Sequence, residues 1–279
     1  MLKHNIKGAK MQSPGPVAFT IGNIDIMWYG VLIASAMLIA VVISSVRAPR
    51  HNLTSDDVLD IVIWMLPCGV IGARLYYVIF NWDLYAGNIS AILNIRGGGL
   101  AIHGGLIAGL ITAYLVCRKH KIGFLNALDL FLPTVALAQA IGRWGNFFNS
   151  EAHGTATDLP WAIIVDGQKV HPTFLYESIW CLLLFILLSY IDKRKRSFNG
   201  QIACLYGMLY SVERFFVEWL RTDSLMIGPF KQAQVLSLCI IVACAFLYRY
   251  FRKKYPLDNN LENNSENKQI NKERKKKIN

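Results

Sequence analysis

The chain has 279 residues, of which 54% are hydrophobic and only 17% are charged. This composition is far from that of a soluble domain. The formal net charge is +11, but the basic residues form short clusters and a basic tail, and this distribution does not favour a nucleic-acid-binding protein.

Seven apolar segments recur along the chain, and each approaches the roughly 20 residues that a helix needs to cross a bilayer. They are Ile24–Ser45, Val58–Phe80, Leu100–Cys117, Phe124–Ile141, Phe174–Ile191, Ile202–Leu220 and Ala233–Phe251. A soluble fold would need seven helices, hydrophobic on all sides, in one core. The sequence therefore predicts an all-α polytopic membrane protein with seven transmembrane helices in one domain, residues 1–256.

Basic clusters predict the orientation. By the positive-inside rule, the side of the membrane that carries them is cytoplasmic, so we expect the N-terminus outside and the C-terminus in the cytoplasm. Lys3, Lys7 and Lys10 oppose this assignment, but they are fewer and lie far before the first span. The clusters, which fall in alternate loops, are Arg47 with Arg50, Arg118 with Lys119 and Lys121, and residues 193–196.

Two segments outside the spans have their own composition. Between the fourth and fifth helices, at about residues 143–173, WAIIV and KV flank Asp166-Gly167, a dipeptide that favours a hairpin. We expect a small extracytoplasmic α/β element there. Residues 257–279 are rich in Asn, Glu and Lys, which predicts a disordered basic cytoplasmic tail.

Ionisable and phenolic groups gather in the outer half of the predicted membrane. A charge at bilayer depth costs at least about 2.5 kcal/mol, so it indicates a function. Three of these groups are arginines, which favours an anionic ligand, most naturally the phosphate of a phospholipid head group in the outer leaflet. The five groups, each from a different span, are Tyr29, Arg74, His103, Arg143 and Arg214.

The sixth span carries a ladder of polar residues. Tyr210, Arg214, Glu218 and Arg221 are spaced by four, four and three residues, so they share one helix face and neighbours can interact. A glutamate one turn from an arginine can orient its guanidinium group. A self-neutralised ladder that only packs helices together is the alternative.

Two glycine-rich stretches also carry polar residues. His103 lies in RGGGLAIHGGLIAG, where an imidazole could move a proton near neutrality, although a hydrogen-bonded core histidine explains the motif equally well. In GRWGNFFNSEAHG, Arg143 and Asn146 share a face if the helix continues, and we expect the glycines to let the chain fold back over the helix end. Glu151 and His153 lack a specific metal-ligand spacing, so no metal is predicted.

Six motifs, taken together and in order, give the chain a family resemblance. From the first span to the last, the chain is similar to the prolipoprotein diacylglyceryl transferases, although Ser211 stands where that family often has glycine. The motifs are WYG at Trp28–Gly30, GARLYYV at Gly72–Val78, RGGGLAIHGG at Arg96–Gly105, GRWGNFFNSEAHG at Gly142–Gly154, HPTFLYES at His171–Ser178 and RFFVEWLR at Arg214–Arg221.

The resemblance implies a multi-pass enzyme of the bacterial cytoplasmic membrane whose active site faces the outer leaflet. Such an enzyme moves the diacylglyceryl group of phosphatidylglycerol to the lipobox cysteine of a prolipoprotein signal peptide. A thioether forms and glycerol phosphate leaves, in the first step of lipoprotein maturation. No cofactor and no metal are implied, because the leaving group is already part of the lipid.

The same resemblance implies roles for individual residues. Arg143 and Arg214 would hold the phosphate and stabilise its growing charge. A cysteine thiol has an ordinary pKa near 8.5, so it needs activation, and His103 is the expected base, with Tyr29 as the alternative. Arg74 is expected to be structural. The other expected lipid-binding residues are Asn146 and Tyr210 as hydrogen-bonding groups, Glu151 and Glu218 as guanidinium-orienting groups, and Gly154 for the loop geometry.

Other classes of membrane protein fit less well. A transporter more often shows internal repeats or polar groups at mid-depth. A seven-helix photoreceptor needs a lysine deep in its last span, whereas Lys231 lies at the entrance of that span. Metal-dependent phospholipid enzymes usually carry aspartate-rich motifs on a cytoplasmic loop, and this chain has none.

Overall fold

The computed structural model describes residues 11–95, 98–222 and 224–257. The predicted disordered tail, apart from Leu257, lies outside these residues, as do Arg96 and the three N-terminal lysines. Seven of the eight α-helices in this part have 18 residues or more, and each contains most of one predicted apolar segment. The helices are α1 Trp28–Arg47, α2 Ser55–Phe80, α3 Ile89–Leu93, α4 Ile102–Lys119, α5 Phe124–Phe148, α6 Thr173–Arg194, α7 Gln201–Leu220 and α8 Gln232–Lys254.

Five of the long helices are long and apolar enough to cross a membrane, namely α1, α2, α5, α6 and α8. In the 18-residue apolar stretch of α8 only 6% of the residues are buried within the protein, and in that of α1 only 11% are. Exposed apolar helices of this kind need a lipid environment, so the chain is a polytopic membrane protein. α7 carries three charged residues, Glu213, Arg214 and Glu218, within its 20 residues.

Short β-strands lie in the segments outside the long helices. In one sheet the order is β1-β4-β5, with β1 parallel to β4, and the pairs β2-β3 and β6-β7 are antiparallel hairpins. The strands are β1 Met11–Gln12, β2 Val17–Ile21, β3 Ile24–Met27, β4 Ile163–Val165, β5 Gln168–Val170, β6 Met226–Ile227 and β7 Phe230–Lys231.

The hairpin predicted at Asp166-Gly167 is confirmed. These two residues connect β4 to β5, and both have positive φ, 50° and 76°, as a type I′ turn requires. The segment between α5 and α6 contains these two strands and no helix of its own. The helical part of the predicted α/β element is therefore the end of α5.

The predicted start of the first span at Ile24 is wrong. Ile24–Met27 form β3, which pairs with β2, and α1 begins at Trp28. Gly22 has a φ of +61° in the turn between the two strands, where glycine has no steric cost. A short apolar run has no periodicity that distinguishes a strand from the start of a helix, so the sequence alone could not separate them.

The chain forms two compact units. Among the described residues, the first unit contains those up to Met37 and those from Val135 onward, and the second contains those between Leu38 and Thr134. In the first unit, Leu184 and Leu188 of α6 pack in one core cluster with Ala136 and Ile202. In the second unit, α2 and α4 pack so closely that a Cβ atom at Gly72 or Gly104 would overlap the other helix.

Candidate active site

The end of α5 carries two of the predicted site residues. The helix continues to Phe148, so Arg143 and Asn146 lie on one face of it. Gly142 and Gly145 are helical, so the prediction that they let the chain fold back over the helix end is wrong. Both face α1, and a side chain at Gly145 would overlap the ring of Tyr29.

Tyr29 is the second residue of α1, and 41% of its surface is exposed. Its ring packs on Gly145 because glycine leaves the backbone of α5 uncovered there. The structure thus brings Tyr29 to the helix that carries Arg143 and Asn146.

A buried carboxylate lies between the two arginines that are predicted to bind the phosphate. Oε1 of Glu177, on α6, lies 3.1 Å from Nη2 of Arg143 and 3.4 Å from Nη1 of Arg214. The side chain of Glu177 is completely buried. Three helices therefore meet at one carboxylate oxygen, which fixes the two guanidinium groups relative to each other.

Glu177 is not among the predicted site residues, although it lies in HPTFLYES, one of the six motifs of the family resemblance. The available signal was a carboxylate inside an apolar segment, the same signal that identified the arginines. Its position in sequence could not show that it contacts two other helices.

Glu218 completes the ionic cluster. Its Oε2 lies 2.7 Å from Nη2 of Arg214, one turn earlier on α7, as the spacing of four residues predicts. Glu218 is buried, whereas the side chains of Arg143 and Arg214 are 20% and 24% exposed. The cations are therefore the accessible part of this cluster.

Tyr210 lies beside Arg143, whose Nη2 donates a hydrogen bond of 3.4 Å to the phenolic oxygen. The Tyr210 ring stacks on that of Tyr206 with centroids 5.7 Å apart and an angle of 8°. Tyr206 in turn donates a hydrogen bond of 2.9 Å to Gln139 on α5. This chain of contacts holds Tyr210 next to the arginine.

The two arginines keep hydrogen-bonding capacity. A guanidinium group has five N–H donors. The contacts above involve one nitrogen of Arg143 and two of Arg214, so neither set of donors is exhausted. A tetrahedral anion with several acceptor oxygens matches two such neighbouring groups.

Glu151 has different partners from those expected. Its Oε1 accepts hydrogen bonds from Asn146 at 3.0 Å and from Asn149 at 3.3 Å. The expectation that Glu151 orients a guanidinium group is therefore wrong in this structure. The sequence could not separate the two arrangements, because amide and guanidinium donors lie close together in GRWGNFFNSEAHG.

Gly154 lies where the segment after α5 meets the end of α7. Its N–H donates to the carbonyl of His171 at 3.0 Å, and it forms a β-bridge with Arg221. A Cβ atom at this position would lie 2.7 Å from Cβ of His171. Glycine thus permits the loop to pack against the helix that carries Arg214 and Glu218.

His103 and Arg74 belong to the other compact unit. His103 is exposed near the start of α4, and its ring centroid lies 6.3 Å from that of Tyr76. Arg74 is buried, and its guanidinium group donates to backbone carbonyls of α3 and of the segment between α3 and α4. The acceptors are Ala91 at 2.7 Å, Ile92 at 2.9 Å, Gly98 at 2.8 Å and Gly99 at 2.9 Å.

These four bonds show that Arg74 holds the segment between α2 and α4, which includes α3. Its cation also lies 4.9 Å from the ring centroid of Tyr85 in the same segment. The inclusion of Arg74 among the arginines that suggested an anion site is therefore corrected, since its guanidinium group is bound to protein. The contacts support the structural role expected for it.

Comparison with known proteins gives a match over most of the chain. The model of a family described as prolipoprotein diacylglyceryl transferase matches residues 16–250. A phosphatidylglycerol–prolipoprotein diacylglyceryl transferase of Finegoldia magna is 53% identical over 238 residues, which cover 85% of this chain and 96% of that protein. The protein of the same name in Clostridioides difficile gives the same identity and coverage, and that of Listeria innocua is 44% identical over 259 residues, covering 88% and 93%.

Proposed function

Because the chain belongs to the prolipoprotein diacylglyceryl transferase family, we propose that it transfers the diacylglyceryl group of phosphatidylglycerol to the lipobox cysteine of prolipoproteins. The thiol sulfur attacks the carbon of the diacylated glycerol that is bonded to the phosphate oxygen. A carbon–sulfur bond forms at this carbon, and its bond to the phosphate oxygen breaks. Glycerol phosphate leaves with the electron pair of that bond. The observation that carries this proposal is the pair Arg143 and Arg214, joined through Glu177.

The two arginines act on the phosphate. As the carbon–oxygen bond breaks, negative charge grows on the phosphate oxygens, and donors already held in place stabilise it more in the transition state than in the bound lipid. Glu177 and Glu218 hold the guanidinium groups in one orientation. Tyr210 and Asn146 add neutral hydrogen-bonding groups beside them.

The thiol must lose its proton to attack. His103 takes this proton, with Tyr29 as the alternative acceptor, because both groups belong to the set expected in the outer half of the membrane. Tyr29 packs on α5, the helix that carries Arg143, and this contact supports a place for Tyr29 near the phosphate-binding residues. A positioned base of this kind contributes about 10²–10⁴-fold to a rate.

The proposed topology has seven transmembrane helices, with the N-terminus outside and the active site facing the outer leaflet of a bacterial cytoplasmic membrane. The alternation of the basic loop clusters supports it. Both substrates, the lipid and the signal-peptide helix of the prolipoprotein, then enter from the membrane plane. The strands between α5 and α6 lie outside the membrane.

To test this proposal, purified protein is incubated with phosphatidylglycerol and a synthetic lipobox peptide, and the mass of the peptide is measured by mass spectrometry. The expected product is heavier by one diacylglyceryl group, and a peptide with serine in place of the cysteine stays unmodified. Absence of the adduct under several detergent conditions contradicts the proposal.

Variants of the two arginines test the phosphate site in the same assay. Arg143→Ala and Arg214→Ala are each expected to lose about 100-fold in kcat/KM, since a lost charge-stabilising donor costs a few kcal/mol. Arg252→Ala, an exposed arginine in the last turn of α8, is the matched control and keeps its activity. If Arg143→Ala or Arg214→Ala keeps normal turnover, that arginine does not act on the phosphate.

A further inference from the structure

Glu213 is a buried residue of α7 whose carboxyl group has no part in the proposed function. It is 4% exposed, and no described residue forms a hydrogen bond with either of its carboxylate oxygens. A buried polar group without a partner costs stability, so such a group in a folded protein needs an explanation.

The position of Glu213 places it in the ionic cluster. It directly precedes Arg214 and follows Tyr210 by three residues, which corresponds to a rise of about 4.5 Å along α7. Its electrostatic interactions reach Arg143 on α5 and Glu177 on α6. Other titratable groups around it include Cys181 on α6 and Tyr210, Arg214 and Arg221 on α7.

The charges around Glu213 do not supply it with hydrogen bonds. Glu177 and Glu218 pair with the two arginines, and Arg221 interacts with Glu213 electrostatically without a hydrogen bond to either carboxylate oxygen. Two carboxylate oxygens without donors match a neutral group with two adjacent hydroxyls. Acidic side chains bind ribose hydroxyls in this way in dinucleotide sites.

The head group of phosphatidylglycerol offers such a pair. Beyond its phosphate it ends in a glycerol with hydroxyls on two neighbouring carbons, the nearer one on the second carbon from the phosphate oxygen. We propose that Glu213 binds this diol while Arg143 and Arg214 hold the phosphate. Glu213 is then a specificity residue for the lipid head group, an inference that rests on the proposed function.

The experiment compares two lipids in the peptide assay, phosphatidylglycerol and a phosphatidylpropanol with the same acyl chains and no head-group hydroxyls. Wild-type protein is expected to prefer phosphatidylglycerol. In Glu213→Leu, kcat/KM for phosphatidylglycerol falls about tenfold, mainly through KM, because two hydrogen bonds to hydroxyls are lost. For phosphatidylpropanol it stays within about twofold, so the preference disappears.

Glu213→Gln keeps the shape of the side chain and one acceptor oxygen, so an intermediate preference is expected. Ser211→Ala, which changes another buried polar residue of α7, is the matched control and keeps the wild-type preference. Equal losses toward both lipids in the Glu213 variants show a packing role and overturn the inference, as does an unchanged preference.

A binding measurement covers the case in which Glu213→Leu does not fold. Glycerol phosphate is expected to raise the Tm of wild-type protein more than propyl phosphate does, and Glu213→Gln is expected to reduce this difference. An unreduced difference in that variant contradicts the inference. A wild-type protein that modifies no peptide with phosphatidylglycerol contradicts the proposed function itself.

Discussion

Replacing Gly154 by alanine tests how closely the segment after α5 must approach α7. The new Cβ would lie 2.7 Å from Cβ of His171, 3.1 Å from the carbonyl oxygen of Leu220 and 3.1 Å from Cγ2 of Thr173. Contacts below 3.0 Å are essentially never made by real Cβ atoms. Two of these neighbours are a backbone oxygen and a Cβ atom, which cannot move without the backbone.

The substitution should therefore separate the loop from the end of α7. Overpacking of this kind costs about 1–3 kcal/mol, which corresponds to roughly 2–4 °C in Tm for each kcal/mol in a chain of this size. The loop bonds to α7 through Thr155 N–H and the Leu220 carbonyl at 2.8 Å, close to Glu218. A displacement of 1 Å can cost about 100-fold in rate, so a shift of a few tenths predicts a loss of about tenfold.

The assay measures Tm in detergent and kcat/KM for peptide modification. Gly123→Ala is the control, because its Cβ would meet its nearest neighbour, Cβ of Asn126, at an ordinary 3.7 Å. This variant should match the wild type in both measurements. If Gly154→Ala also matches the wild type in both, the close approach at Gly154 has no part in the site.

Three further variants separate the roles of the other residues. Glu177→Gln keeps the side-chain shape but removes the charge shared by two guanidinium groups. Its kcat should fall about tenfold or more while the protein still elutes as a folded monodisperse species, and an unchanged kcat refutes the positioning role of Glu177. Arg74→Met removes four hydrogen bonds to the segment between α2 and α4. This variant should lower Tm and speed proteolysis of that segment while KM for the lipid stays unchanged, and a raised KM at unchanged Tm contradicts the structural role. His103→Ala should lower kcat about 100-fold or more at neutral pH, and a near-normal rate moves the base role to Tyr29, for which Tyr29→Phe is the next measurement.

The helices were predictable because the apolar segments are long and well separated. Each predicted segment overlaps a long helix, and the errors fall at the ends. At Ile24–Met27 an apolar run forms a strand, and α5 continues past Ile141 to Phe148. Apolar length reports how much of a segment can lie in lipid, whereas the end of a helix depends on backbone hydrogen bonds that composition does not encode.

Contacts within one helix were also predictable, but contacts between helices were not. The pair Arg214 and Glu218 follows from a spacing of four residues. The link from Glu177 to Arg143 and Arg214 depends on how three helices pack, and spacing along the chain carries no information on it. The relation of His103 to the arginines stays a prediction for the same reason.

The burial pattern of the ionic cluster bears on how the site works. A buried carboxylate costs stability unless opposite charges or hydrogen bonds compensate it, and here the two arginines compensate Glu177 and Glu218. The side chains of Arg143 and Arg214 are partly exposed while Glu177 and Glu218 are buried. In the proposed function, an incoming phosphate would therefore meet donors whose orientation is already set. Little reorganisation is then needed as charge grows on the leaving group, which is the condition for strong electrostatic stabilisation of a transition state. By this argument Glu177 and Glu218 contribute to catalysis by fixing the orientation of the guanidinium groups and not by contact with the lipid. Glu218→Asp, which shortens the side chain, should therefore lower kcat more than it raises KM for phosphatidylglycerol in the peptide-modification assay.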